Sequence, residues 1–211
     1  MPTLKLSYFN IQGPAEPARL ALTIGGVAFE DERVDFAAWK EGRKATTKYG
    51  QLPILNVDGT DVYQSAAITS YCAKIAGIAP SDPLKAAQVD EIVQFVNQDI
   101  KDRQIAKSME SSLSPEDKAA KRKDLNDNIL PEKLAFLESM ISKSGYFFED
   151  ITIADLTVYG LCNWIGMGVL DGISGDCITS LPKLKNLVSK LNEHEKVKAY
   201  NAEKNPKLPW F

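Results

Sequence analysis

Tyr49-Gly50-Gln51-Leu52-Pro53-Ile54-Leu55 puts a proline at the mouth of what reads as a buried strand. Proline lacks the N–H that a central strand donates, so it belongs at a strand's first residue, on an edge or at a bulge. A cis bond before it would mark a shaped site. The use made of this proline depends on its neighbours.

Downstream, "PILNVDGTDVYQ" reads as two strands around an Asp58-Gly59 turn. Ser65 then stands where an N-cap should, before "AAITSYCAKIAG", with Gly77 as the C-terminal stop. Upstream, "LKLSYF" reads as a strand and "PAEPARLALTIGG" as a helix ending at Gly25-Gly26. The stretch from Met1 to about Ala79 is therefore an α/β unit. Pro80 and Pro83 around Ser81-Asp82 break both neighbouring patterns and read as a linker. Beyond it the signals are helical. Val89, Ile92, Val93, Val96 and Ile100 form one stripe, Ser114-Pro115 opens a second helix, and Pro131 starts or kinks a third. Thr152 to Asp155 resembles a capping box, and Leu181 to Leu191 is amphipathic.

Composition narrows the chemistry. The 211 residues are 44% hydrophobic and 25% charged, with a formal charge of -3, which gives no basic footprint for nucleic acid or an anionic membrane. No signal-peptide pattern and no run of roughly eighteen apolar residues is present, so the expected location is the cytoplasm. Cys72, Cys162 and Cys177 are an odd, widely spaced set and read as reduced packing thiols rather than a disulfide framework or zinc site. The single histidine, His194, lies in "NEHEKVK" and reads as a solvated helix position, which sets aside histidine triads and metal sites. "SPEDKAAKRKDLND" mixes both signs and reads as a solvated helix face.

A tyrosine near the end of the first strand, a proline opening the third and a Gln-Ser pair entering a helix after the fourth fall at one end of a small sheet. Ligands of α/β units usually bind at such an end. Ser65 reads either as a plain N-cap or as part of a carboxylate site, since a helix N-terminus offers free N–H groups and about half a positive charge.

"YFNIQGPAEPARLAL", "YGQLPIL" and "YQSAAITSY" resemble the glutathione-binding half of cytosolic glutathione transferases, and the resemblance extends over essentially the whole chain. It implies a thioredoxin-like N-terminal domain over residues 1–79, a linker at 80–83 and an all-helical C-terminal domain over 84–211. The nearest branch is the tyrosine-dependent one. "YFN" and Trp39 resemble its sigma class, whereas "WKEG" and "YGQLP" also resemble pi.

Carried over on those motifs, Tyr8 matches the catalytic tyrosine whose hydroxyl donates to the glutathione sulfur. Leu52 matches the residue whose backbone pairs with the cysteinyl part, as if the tripeptide added a short strand. Its extended backbone is enforced by Pro53, expected to be cis, and Gln51 lies beside the same peptide. Gln64 and Ser65 match the pair holding the γ-glutamyl end. Trp39 and a basic residue match the group at the glycine end. Spacing from Trp39 fits Arg43 to the sigma pattern and Lys44 to the pi pattern, with Arg43 slightly favoured because a guanidinium binds carboxylate in a fork. The resemblance also implies a homodimer in which a partner acid meets the γ-glutamyl amine. Ungapped matching puts Gln98 there and charge favours Asp99. Tyr49 resembles the aromatic key that pi-class subunits insert into their partner.

Gln12-Gly13-Pro14 departs from the usual pair of arginines flanking the glycine, which weakens the class assignment more than the activity. Phe9, Gly13, Pro14, Gln104, Ser108 and the C-terminal "LPWF" match the electrophile pocket. The implied activity is conjugation of glutathione, a co-substrate, to small hydrophobic electrophiles, without metal or bound organic cofactor. Two alternatives stay open: a glutathione-dependent isomerase of the prostaglandin D synthase type, and a non-catalytic binding or structural relative.

Overall fold

The computed structural model describes residues 2–206 and divides into two compact units, 1–79 and 80–211. The "LPWF" end lies outside the described residues.

The first unit is a four-stranded sheet ordered β2-β1-β3-β4. Strand β1 (Leu4–Phe9) leads through α1 (Glu16–Gly25) to β2 (Glu30–Val34), which pairs with it in parallel. A short helix α2 (Phe36–Glu41) follows, capped by the Asp35 carboxylate on the N–H groups of Ala37 and Ala38. Strands β3 (Ile54–Val57) and β4 (Thr60–Tyr63) form the hairpin expected at Asp58-Gly59, where both turn residues have positive φ, 49° and 88°. Pro53 immediately precedes β3 and its peptide bond with Leu52 is cis. The proline therefore opens the strand. Helix α3 (Ser65–Ile75) returns across the sheet and packs against α1. The contact is close because Gly25 has no side chain: a Cβ there would lie 2.6 Å from the Ala76 Cα.

Strand β2 was not legible as a strand. "EDERV" has one buried residue, Val34, and its charges hide the alternation that β1 shows plainly. It is an edge strand, and charge is the normal dress of an edge.

In the second unit α4 (Pro83–Gln94) runs on into a π-helical stretch, Phe95–Ile105. Asp82 caps α4 and Pro83 is its first residue, so the helix begins inside the span read as a linker. Helix α5 (Pro115–Asp124), capped by Ser114, joins α6 (Leu130–Met140) through π-helical residues Leu125–Ile129, and Pro131 falls in the first turn of α6. Helix α7 (Ile153–Gly166) is the apolar centre, and its capping box is present at Thr152 and Asp155. Short α8 (Asp176–Thr179), α9 (Pro182–Glu193) and α10 (Glu195–Lys204) complete the unit.

Two readings are corrected. His194 is the joint between α9 and α10, with its Nδ1 sealed from solvent and unpartnered among the described residues, so it is not a solvated helix position. Arg122 is buried, 6% exposed, so "SPEDKAAKRKDLND" is not uniformly a solvated face. The three thiols are unpaired: Cys72 and Cys162 are buried and Cys177 half-buried. Burial pushes their pKa values up to about 12, 12 and 11.

Candidate active site

Strand geometry sorts the residues around Tyr8. Side chains alternate along β1, so Leu4, Leu6 and Tyr8 share one face, while Lys5, Ser7 and Phe9 share the other. The parallel register puts Leu6 beside Asp31 and Tyr8 beside Arg33, and Ser7 beside Glu32. Each face carries its own charge network.

On the Tyr8 face the centre is Arg19, fully buried in α1. Its Nε donates to Asp31 at 2.9 Å, and its two terminal nitrogens reach the carbonyls of Phe9, Ile11 and Gln12 and the Glu16 carboxylate. Arg33 holds the other Asp31 oxygen, Nε to Oδ2 at 2.8 Å. The guanidinium thus ties down the loop that leaves β1 directly after Tyr8. Its carbon stands 5.7 Å from the Tyr8 ring centroid.

Tyr8 is 7% exposed, and burial raises its pKa, opposed by the Arg19 charge. The phenol therefore stays protonated at neutral pH and is a hydrogen-bond donor. Its hydroxyl has no hydrogen-bond partner among the described residues. Gly13 packs directly on it. Gly13 has φ +48°, and a Cβ there would fall 2.6 Å from the Tyr8 Oη. Only glycine suits both the backbone and the space. Pro14 follows in a one-turn 3-10 helix and is exposed.

On the other face Phe9 stacks on Phe36 at 4.2 Å and meets Trp39 edge-on at 5.9 Å. Trp39 is 8% exposed. Arg43 forks onto Glu32 through two bonds of 2.9 and 2.5 Å, and Ser7 Oγ adds a third at 2.5 Å. This set holds the Glu32 carboxyl at about 2, with Arg43 the largest cause. Lys44, in contrast, has no ion pair among the described residues and lines a cavity of about 450 Å³ with Lys40 and Gly50.

The strand-edge elements complete the unit. Gln51 is exposed, and Leu52 is half-buried with no main-chain hydrogen bond among the described residues. Gln64 has φ 71° and ψ 116°, a left-handed conformation that a residue with a side chain adopts at a cost of about 1–3 kcal/mol. It is the N-cap of α3 without a side-chain cap bond, so Ser65 is the first helical residue and not the cap. The Ser65 hydroxyl is consequently not engaged in capping, and the first N–H groups of α3 lie beside it.

The residues assigned to the second unit are spread along one helix. Asp99 pairs with Arg103 one turn on, and Gln98 donates to Gln94 at 2.8 Å. Gln104 is half-buried. Ser108 is 2% exposed and its Oγ returns to the Ile105 carbonyl at 2.8 Å.

Arg19, Asp31 and Glu32 were missed by sequence reading. The one available signal was a lone arginine inside the apolar run "PARLAL", where a buried and paired charge is the usual explanation.

The site unit thus combines a buried phenol, a strand-end backbone at Leu52 without main-chain hydrogen bonds among the described residues and a helix N-terminus at Ser65 without a side-chain cap. The pattern described as "Glutathione S-transferase, N-terminal domain" matches residues 4–74, and "Glutathione S-transferase, C-terminal domain" matches residues 99–204. Glutathione S-transferase 1 of Ascaris suum is 33% identical over 214 residues, with 100% of each chain covered. Hematopoietic prostaglandin D synthase of Gallus gallus is 33% identical over 74% of this chain and 75% of its own. A structure of prostaglandin synthase D of Nilaparvata lugens superposes with a TM-score of 0.85 at 29% identity, over 96% of this chain and 98% of that one. The chain belongs to the glutathione S-transferase family.

Two outcomes follow from this geometry. Glu32→Gln removes a carboxylate whose depressed pKa stabilises the fold fully above about pH 4.5 and progressively less as pH falls toward about 2. Allowing for its exposure, the loss is about 1–2 kcal/mol at neutral pH, with a shallower acid-unfolding limb in pH-dependent urea titrations. Gly13→Ala pushes the Tyr8 hydroxyl aside; glutathione conjugation should fall about tenfold or more, while a circular-dichroism melt shows a folded protein.

Proposed function

We propose that the protein conjugates the glutathione thiolate to small hydrophobic electrophiles, with Tyr8 donating a hydrogen bond to the sulfur. The observation that carries this reading is the buried, protonated Tyr8 with an unengaged hydroxyl held against Gly13. A free thiol titrates near about 8.5, so a fall of two units needs about 2.7 kcal/mol of differential stabilisation. A hydrogen bond to a charged sulfur together with a helix N-terminus supplies an energy of that size.

In this reading the tripeptide lies along Leu52, whose free N–H and C=O receive its cysteinyl part as a short antiparallel strand beside Gln51 and Pro53. Gln64 and Ser65 hold the γ-glutamyl carboxylate at the N-terminus of α3, and the strained Gln64 backbone supports a functional rather than a structural reason for its conformation. At the glycine end, beside Trp39, Lys44 takes the carboxylate and Arg43 acts as a support, because its fork is occupied by Glu32. Phe9, Gly13 and Pro14 are the first unit's residues that border the electrophile. No metal or bound organic cofactor takes part.

The protein works as a homodimer in the cytoplasm. Tyr49 is 52% exposed and edge-on to Tyr63, an aromatic key of pi type. Ile92, Phe95, Phe136 and Met140 border a cavity of about 390 Å³ on the second unit that suits an aromatic ring from a partner. Phe136 is 50% exposed and stands edge-on to Phe95 at 6.4 Å, an apolar pair offered at the cavity. Asp99, on the rim of this cavity, is the acid offered across the interface, with Gln98 as its alternative. No helix of the described residues is long and apolar enough to cross a membrane.

A second reading, glutathione-dependent isomerisation, draws on the similarity to the two prostaglandin D synthases. It uses the same thiolate and is separated by whether prostaglandin D forms from its endoperoxide precursor.

The test begins with retention on immobilised glutathione and a conjugation assay on the eluted protein. Tyr8→Phe should keep glutathione binding and lose about tenfold or more in turnover of an activated aryl halide; equal turnover in mutant and parent would remove Tyr8 from the mechanism. Phe136→Glu should convert the dimer to a monomer in light scattering, and an unchanged mass would place the interface elsewhere.

A further inference from the structure

Arg43-Lys44-Ala45-Thr46 is the one place in the sequence where a hydroxyl residue follows an arginine by three positions, and a second basic residue stands between them. Basic side chains just ahead of a hydroxyl are a charge pattern by which protein kinases choose their substrates. The structure presents this segment openly. It forms the 3-10 turn after α2, none of its residues is buried, and Thr46 is exposed. Its backbone bonds are local: the Ala45 N–H donates to the Gly42 carbonyl and the Thr47 N–H to that of Lys44. The Thr46 hydroxyl donates to the Arg43 carbonyl at 2.8 Å. Among the described residues, the polar tie from 43–47 to the sheet is the Arg43 fork on Glu32, so the turn can open without breaking a strand pair. Segments held by so few long-range bonds open at low cost.

The surroundings of the turn are positive. A cavity of about 450 Å³ is lined by Lys40, Lys44 and Thr47 with no acid in its wall, and neither lysine has an ion pair among the described residues. Lys48 follows, its Nζ 5.0 Å from the Tyr49 ring centroid. A phosphothreonine carries a charge of about −1.5 to −2 and three strong acceptor oxygens, which these amines would hold. Thr47 is the poorer acceptor. It is half-buried in the cavity wall, and a lysine rather than an arginine stands three residues before it.

We propose that Thr46 is a phosphorylation site for an arginine-directed kinase, and that its phosphate occupies the amines around Lys44 and lowers the affinity for glutathione. The second half rests on the reading that Lys44 takes the glycine carboxylate. In the transfer the Thr46 Oγ bonds to the γ-phosphorus of ATP, the bond from that phosphorus to the β,γ-bridging oxygen breaks, ADP leaves, and the hydroxyl proton passes to the kinase's base. The new dianion and the glutathione carboxylate then compete for one ammonium. Binding weakens, and the chemistry at Tyr8 is untouched.

The native full-length protein is incubated with ATP, magnesium and the catalytic subunit of cyclic-AMP-dependent protein kinase, and is read by intact mass, fragment sequencing and glutathione titration. The expected result is one phosphoryl group per chain, on Thr46. Thr46→Ala should abolish it and keep the parental conjugation rate. Arg43→Ala should slow it about tenfold or more, whereas a hydroxyl that was merely accessible would react faster once the fork to Glu32 was lost. The phosphorylated protein should bind glutathione about fivefold more weakly and keep its turnover at saturating glutathione, and phosphorylation of Lys44→Ala should weaken binding no further. Phosphate on another residue, phosphate only after unfolding, or Arg43→Ala modified at the parental rate overturns the site. Unchanged glutathione affinity after modification of Thr46 overturns the consequence; if Lys44→Ala by itself also binds glutathione as the parent does, it is the Lys44 reading that has failed, and the Thr46 site stands.

Discussion

A single guanidinium holds the first unit's working end together. Arg19 is fully buried, and burying a charge is costly unless every donor is used. Here it is shared among Asp31, Glu16, the carbonyl of Phe9 at the end of β1 and those of Ile11 and Gln12 in the loop after it. That loop carries Gly13 onto Tyr8. Removing the guanidinium would take one donor from each of Asp31, Glu16 and the carbonyls of Phe9, Ile11 and Gln12, so the placement of the loop and of Gly13 on Tyr8 depends on one side chain. Asp31 extends the same dependence to β2, because Arg33 shares its carboxylate.

The opposite face of the sheet is organised by a second ion cluster. Lys5 lies 3.2 Å from Glu30 and 3.6 Å from Glu32, and Glu32 gathers Ser7 and the Arg43 fork. This cluster anchors the segment after α2, which is otherwise a 3-10 turn with little burial. Its two ends differ in kind. Arg43 is fixed by the fork to a glutamate eleven residues earlier in the chain, whereas Lys44 beside it has no ion pair among the described residues.

Most of the architecture was readable because its signals are local. The Asp58-Gly59 turn, the proline at the head of β3, the Thr152 capping box and the Ser114 cap each depend on a few neighbouring residues whose chemistry admits one solution. What was hidden depends on distant partners. Strand β2 is a strand only because β1 offers it an edge, and its acids look solvated until Arg19 and Arg43 arrive from other elements. Arg122 looked like one of three adjacent cations until the Asp171 loop folded over it. Ser65 was misplaced by one residue because Gln64 adopts a backbone conformation that its side chain disfavours, and no propensity anticipates a strained residue. At the candidate site, adjacent Arg43 and Lys44 look alike in the sequence, and only the tertiary contact with Glu32 distinguishes them.

The three thiols give the molecule a form of chemical discretion. With a pKa near 12, a buried cysteine such as Cys162 is ionised in about one molecule in 10⁵ at neutral pH. Held in the thiol form, the buried Cys72 and Cys162 are poor nucleophiles toward any electrophile the protein meets.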